Sequence, residues 1–152
     1  MTLMNDSLAQ ALARLPHGPD FRFIDRLLSL DPGKSATGEY RVPEDHPFLR
    51  GHFPGEALFP GVLLIEAAAQ LAGDVAQSDP AIPPLSRLKL AGIRAVKFTG
   101  SAKPGQNIRV ECVLTGRLAN VVSATGVAWV EDQLVLRAEL ILSGDPVRPD
   151  SK

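Results

Sequence analysis

Apolar and polar residues alternate along the second half of the chain, and this two-residue period predicts β-strands. Four such runs span residues 86–100, 106–119, 121–132 and 133–144, and each is bounded by Gly, Pro, Asn or Asp. The short polar sequences 'KPGQN' and 'VEDQ' between them have the composition of hairpin turns. We therefore expect the four strands to form an antiparallel meander.

The first half of the chain predicts a hairpin preceded by a short helix. A strand over residues 21–30 is followed by the turn sequence 'DPGK' and by a returning strand over residues 35–42. Residues 6–14 have amphipathic spacing, so an N-terminal helix is expected within residues 1–14. Residues 144–152 are polar and predict a flexible tail.

One long run changes to the helical period. It begins at Pro60, a residue that the first turn of a helix accepts, and ends at about Gln77. Because this helix is apolar on nearly all sides, it needs cover on nearly all sides. A curved antiparallel sheet around one central helix meets that need, so the pattern predicts a single α+β domain over residues 1–152.

The helix carries one narrow polar stripe, formed by Glu66, Gln70, Asp74 and Gln77. Such a stripe on a surface helix faces water, and helix geometry alone favours that interpretation. The small residues beside it favour close contact with neighbouring backbone instead, which would desolvate Glu66 and raise its pKa. A carboxyl group that stays protonated near neutral pH can act as a general acid. Both interpretations stay open at this point.

Composition and charge exclude several classes of protein. The 152 residues are 45% hydrophobic and 22% charged with a net charge of −1, so neither disorder nor a general affinity for nucleic acid is indicated. No apolar run approaches the roughly 18 residues of a membrane span, and no secretory signal is apparent, so a cytoplasmic protein is expected. The single Cys112 lies in a strand-like run, which predicts a buried, unreactive thiol.

The loop before the helix contains the best candidate for a base. His52 stands between glycine and 'FPG' in a segment rich in proline and glycine, and histidine titrates near neutral pH. The first N–H groups of the helix, near Gly61, can bind a carbonyl oxygen. His17 and His46 are assigned structural or surface positions. The sequence has no nucleophile elbow, no phosphate-binding glycine loop and no metal-binding His/Cys cluster.

Over residues 15–143, seven motifs occur in the same order as in a known protein family. They are 'LPH', 'DPGKS', 'PFLRGHFPG', 'FPGVLLIEAAAQLAG', 'LAGIRAVKF', 'KPG' and 'LVLRAELILS'. They resemble the FabZ-type 3-hydroxyacyl-[acyl-carrier-protein] dehydratases, which have the hotdog fold. The resemblance implies a curved sheet wrapped around one long helix and an enzyme that needs no metal or other cofactor.

The resemblance also implies roles for individual residues. His52 and Glu66 would form the catalytic pair, contributed by opposite subunits of a homodimer. The Gly61 N–H would hold the thioester oxygen, and Gln70 would support the site. Phe53, Phe59 and Leu63 are expected to line the acyl tunnel. Dimers of relatives commonly assemble into trimers of dimers.

The implied partner is an acyl carrier protein with a phosphopantetheine-linked acyl chain. Basic side chains at the tunnel mouth would meet this acidic partner, and the candidates are Arg50, Arg94, Lys97 and Lys103. The sequence departs from the family at 'LPHGPDF', where an arginine is lost and Asp20 gained, and after 'KF', where Thr99 and Gly100 replace basic residues. Both departures remove positive charge from the expected docking surface. The identity of the carrier therefore stays open, and a specialised lipid, polyketide or aryl-polyene pathway is an alternative to fatty-acid synthesis.

Two alternative functions remain. A hotdog thioesterase would cleave the thioester, but that class generally lacks the histidine of 'GHFPG'. A non-catalytic acyl-binding subunit would not need both His52 and Glu66. The sequence leaves open the acyl chain length, the choice between acyl carrier protein and coenzyme A, and any isomerase activity.

Overall fold

A computed structural model describes residues 5–46, 49 and 57–146. Two α-helices and six β-strands make up the regular structure of these residues. The helices are α1 (Asn5–Ala13) and α2 (Gly61–Gln77). The strands are β1 (Arg26–Asp31), β2 (Ser35–Arg41), β3 (Leu85–Phe98), β4 (Asn107–Leu118), β5 (Val121–Val130) and β6 (Gln133–Pro146).

The predicted first hairpin is present, but its first strand is shorter than the sequence indicated. β1 and β2 pair antiparallel around a turn in which Gly33 has a φ of 73°, a conformation that favours glycine. The strand was predicted from residue 21, whereas Pro19–Phe21 form a 3-10 turn and pairing begins at Arg26. Phe23 and Ile24 precede the strand, but both are buried, so their side chains anchor this segment on the core.

The sheet order β1-β2-β4-β5-β6-β3 corrects one predicted connection. 'VEDQ' is a hairpin turn, with Glu131 and Asp132 at φ values of 49° and 65° between β5 and β6. 'KPGQN' is not a hairpin turn, because β3 pairs with β6 and β4 pairs with β2 and β5. The meander therefore comprises only β4, β5 and β6, and β3 closes the far edge of the sheet.

Helix α2 lies on one face of this sheet, and the core forms between them. Eleven of its seventeen residues are buried, against an inward-facing alternation along β4 and β5. The contact is close where Ala68 meets Gly126, because a methyl group at Gly126 would lie 2.9 Å from the Ala68 Cβ. The small residues of the helix thus permit backbone approach to the sheet, as the sequence predicted.

The remaining boundaries differ slightly from the prediction. α1 ends at Ala13, and β6 continues to Pro146, so residues 144–146 are paired strand instead of tail. Residues 1–4 and 147–152 lie outside the described part of the chain. Among the described residues, no helix has the length and apolar character needed to cross a membrane.

Candidate functional site

A cavity of about 390 Å³ lies beside the central helix. Its walls come from the polar stripe of α2, from residues 14–17 and from the first half of β3. The stripe therefore faces the cavity and not bulk water: Gln70 is only 2% exposed and Asp74 only 4%, and Glu66 and Gln77 are partly buried. The water-facing interpretation of the helix is wrong, and the cavity has the size of a small-molecule site.

Glu66 stands on the cavity wall with a histidine beside it. The Glu66 Oε1 lies 3.4 Å from the Nε2 of His17, and both side chains remain partly accessible, at 22% and 29%. This distance permits a charge-assisted contact whenever the imidazole is protonated. His17 is therefore part of the site, although the sequence analysis assigned it only a structural or surface position.

Gln70 holds this part of the site together. Its Oε1 accepts a hydrogen bond of 2.9 Å from the Phe23 N–H, and its Nε2 donates to the Phe21 carbonyl at 2.8 Å. The same Nε2 lies 3.3 Å from the Glu66 Oε1. A buried amide with its donor and acceptor both occupied fixes the side chain, so Gln70 orients Glu66 as well as anchoring α2.

Further along the helix, Asp74 is a second buried carboxyl on the cavity wall. Burial raises its pKa from 3.8 to about 7, although the positive charges of Arg14 and Arg22 oppose this shift. Its Oδ2 has no hydrogen-bond partner among the described residues. The cavity thus has two carboxyl side chains on one helix, eight positions apart.

The start of α2 is shaped by a glycine. Pro60 occupies the N-cap position and supplies no capping side chain, and a methyl group at Gly61 would lie 2.9 Å from the Phe98 ring. The N–H groups of a first helical turn have no intrahelical acceptor, so this end can donate to a carbonyl oxygen. Phe98 of β3 lies directly over it.

The other predicted residues are scattered around this centre. Phe59 is buried in an aromatic cluster with Phe23 and Tyr40, and neither Phe59 nor the half-buried Leu63 lines the cavity formed by the single chain. The predicted docking residues Arg94, Lys97 and Lys103 are exposed, and Arg94 forms an ion pair with Glu139. His52, Phe53 and Arg50 lie outside the described residues.

The structure shows two further residues at the site, and the sequence analysis had not proposed either of them as functional. His17 is in the motif 'LPH' and Asp74 in the polar stripe, so both had a sequence signal that was given no chemical role. Cys112 is buried, and burial raises the pKa of its thiol to about 12, which confirms an unreactive cysteine.

Comparison with known proteins gives a family match and similar curated proteins. Residues 15–139 match the model of the FabA-like domain. The 3-hydroxyacyl-[acyl-carrier-protein] dehydratase FabZ of Roseiflexus castenholzii is 37% identical over 140 residues, which are 90% of this chain and 95% of that protein. The corresponding enzyme of Chloroflexus aggregans is 36% identical over 144 residues, covering 93% and 99%.

Solved structures with low sequence identity have the same fold. The dehydratase heterocomplex ApeI:P from Xenorhabdus doucetiae matches with a TM-score of 0.73 at 17% identity, covering 88% of this chain and 90% of that chain. Zebra fish thioesterase superfamily member 2 matches with a TM-score of 0.66 at 12% identity, covering 93% and 98%. Together with the sheet around α2, these matches confirm the hotdog fold.

Proposed function

The chain belongs to the FabA-like family, and from this premise we propose that it removes water from 3-hydroxyacyl thioesters carried on acyl carrier protein. The product is the trans-2-enoyl thioester, made in fatty-acid synthesis or a related specialised pathway. The observation that carries the proposal is Glu66, a carboxyl oriented by Gln70 on the wall of a cavity, in a chain whose curated relatives are named as this dehydratase.

The reaction requires one base, one acid and one oxyanion partner. His52 takes the proton from C2, and Glu66 gives a proton to the hydroxyl that leaves C3 as water. The electron pair of the broken C2–H bond forms the C2–C3 double bond. The Gly61 N–H stabilises the negative charge that develops on the thioester oxygen. One proton moves to His52 and one leaves Glu66, so the net charge of the pair is unchanged, and proton exchange with solvent restores both groups before the next turnover.

The site is completed by a second copy of the chain. β3 lies at the edge of the sheet, has fourteen residues and exposes the large apolar side chains of Ile93 and Phe98, at 44% and 50%. A long edge strand with exposed apolar side chains is a natural pairing surface. In the homodimer that membership of the family implies, two such edges would pair, and His52 and Glu66 of one site would come from opposite subunits.

Acyl carrier protein would dock at exposed basic residues near the start of α2. Lys97 is exposed on β3 and Lys103 on the loop after it. Replacement of both by glutamate should raise the KM for the acyl carrier protein substrate while leaving kcat/KM for the pantetheine thioester unchanged. Equal loss for both substrates would contradict a docking role.

The direct test is a dehydration assay on purified protein. Wild type should convert a 3-hydroxyacyl thioester to the enoyl thioester, and Glu66→Gln and His52→Ala should each lower the rate by about a hundredfold or more. Glu131→Gln, in the exposed turn between β5 and β6, is the matched control and should retain full rate. Cleavage of the thioester without dehydration would establish a thioesterase instead, and acyl binding without either reaction would establish a non-catalytic subunit.

A mixing experiment tests the shared site. Inactive Glu66→Gln and His52→Ala proteins should regain partial activity after subunit exchange, because each mixed dimer has one intact pair. If exchange is shown by differently tagged chains and activity stays absent, the two residues do not act across subunits.

A further inference from the structure

The cavity is not a plain apolar tunnel at the end remote from Glu66. Asp74 lines it there with only 4% of its surface exposed, and its Oδ2 has no hydrogen-bond partner among the described residues. Along an α-helix, eight positions correspond to about 12 Å from Glu66 to Asp74. A buried carboxyl oxygen without a partner is costly, so its presence on a cavity wall points to a ligand that supplies the missing donor.

The surroundings of Asp74 define the chemistry of that donor. Arg14 and Arg22 are close enough to lower the Asp74 pKa, and Arg87 and Lys89 also line the cavity. The two arginines that act on Asp74 disfavour a positively charged ligand, and Arg87 and Lys89 add positive charge elsewhere on the cavity wall. An unsubstituted alkyl chain would leave the Asp74 oxygen unpaired. A neutral hydroxyl group remains, since it donates one hydrogen bond and accepts others.

Two further unpaired polar atoms lie on the segment between α1 and β1, where His17 contacts Glu66 and the charge of Arg22 acts on Asp74. The Arg22 Nε and the His17 Nδ1 are both buried without a hydrogen-bond partner among the residues described. The Arg22 side chain is fixed, because its terminal nitrogen donates to the carbonyls of Leu15 and His17 at 3.0 and 3.1 Å. The fixed positive charge of Arg22 therefore adds to the polarity of the Asp74 end of the cavity.

We propose that Asp74 determines specificity by accepting a hydrogen bond from a hydroxyl group on the distal part of the acyl chain. The preferred substrates are then 3-hydroxyacyl thioesters with a second hydroxyl far from the reacting carbons. This inference rests on the proposed dehydratase function and narrows its substrate class.

The test compares medium-chain 3-hydroxyacyl pantetheine thioesters with and without a terminal hydroxyl, over a series of chain lengths. At the best length, wild type should prefer the hydroxylated substrate by about tenfold in kcat/KM, mainly through KM, because the contact is remote from the reacting atoms. Asp74→Leu should reverse the preference. Asp74→Asn, which keeps the size and one acceptor oxygen, should retain part of it.

A matched control keeps the result specific. Asp132→Asn makes the same chemical change in the exposed turn between β5 and β6, where a φ of 65° suits asparagine as well, and should leave the preference unchanged. Thermal unfolding checks that the Asp74 variants fold.

The outcomes separate this inference from the function on which it rests. If wild type dehydrates both substrates equally at every length, or if its preference survives both Asp74 substitutions, the role of Asp74 is overturned and the dehydratase function stands. If wild type dehydrates neither, the proposed function fails and this inference fails with it.

Discussion

The backbone N–H of Phe23 donates a 2.9 Å hydrogen bond to the side-chain oxygen of Gln70, and this bond joins the central helix to the segment before the sheet. In Gln70→Leu, the buried Phe23 N–H and the part-buried Phe21 carbonyl would both lose the hydrogen bond to this side chain. Loss of the buried bond costs about 1–3 kcal/mol and loss of the part-buried one about 1 kcal/mol, so the free energy of unfolding should fall by roughly 2–4 kcal/mol.

Denaturant unfolding measures this change as a lower midpoint at an unchanged slope. Gln10→Leu, on the exposed side of α1, is the matched control and should change stability by less than about 0.5 kcal/mol. Equal stability of wild type and Gln70→Leu would show that the helix is held by other contacts.

Asp74 makes stability depend on pH in an unusual direction. Because burial raises its pKa from 3.8 to about 7, the folded state binds the proton more tightly than the unfolded state. Its contribution to stability is fully present below about pH 4 and is lost as the pH rises to about 7. Asp74→Asn should abolish this loss, on the order of 4 kcal/mol.

The measurement is the difference in unfolding free energy between wild type and Asp74→Asn across this range. The subtraction cancels every other titrating group. Parallel curves for the two proteins would refute a raised pKa in the folded state.

Gly126 sets the distance between helix and sheet. A methyl group there would meet the Ala68 Cβ at 2.9 Å, and neither residue can rotate a side chain away. Gly126→Ala should therefore destabilise the protein by about 1–3 kcal/mol through overpacking. Gly18→Ala is the control, because a methyl group at Gly18 has nothing within 4 Å and its φ of −67° suits alanine. A melting temperature unchanged by Gly126→Ala would mean that the helix can shift.

His17 should act on catalysis through Glu66. Loss of their 3.4 Å contact in His17→Ala should lower kcat by roughly tenfold, because the Glu66 carboxyl loses a neighbour that positions it. In a Glu66→Gln background the same change should have little further effect, because the residue it positions has already lost its function. Multiplicative losses in the double variant would show that the two residues act independently.

The sequence predicted the fold well where periodicity was strong. The four alternating runs, the first hairpin and the helix from Pro60 to Gln77 are all present. Periodicity did not predict the order of the strands. The turn-forming residues of 'KPGQN' are equally compatible with a connection between two strands that are not neighbours in the sheet. Here the Gly105 and Val42 backbones bond to each other across the loops, at 2.8 Å, and β3 lies at the opposite edge.

The site was predictable only in part for a physical reason. Glu66 and Gln70 stand in a specific motif, whereas the importance of His17 and Asp74 depends on burial and on partners distant along the chain. Helix geometry gave all members of the stripe the same solvent-facing interpretation. Only the position of residues 14–17 and of β3 shows that this stripe borders a cavity.

The shape of β3 has a consequence for the behaviour of the protein at high concentration. Its pairing with β6 shifts register at three places, and Arg87 and Ala95 adopt φ values of 51° and 53° that break the regular pleat. Such bulges bend and twist an edge, so it can pair once with a second copy of the chain but does not support the flat, repeated stacking that fibrils need. A protein with this much exposed apolar edge should therefore resist fibril growth, and straightening these kinks by mutation would remove that protection.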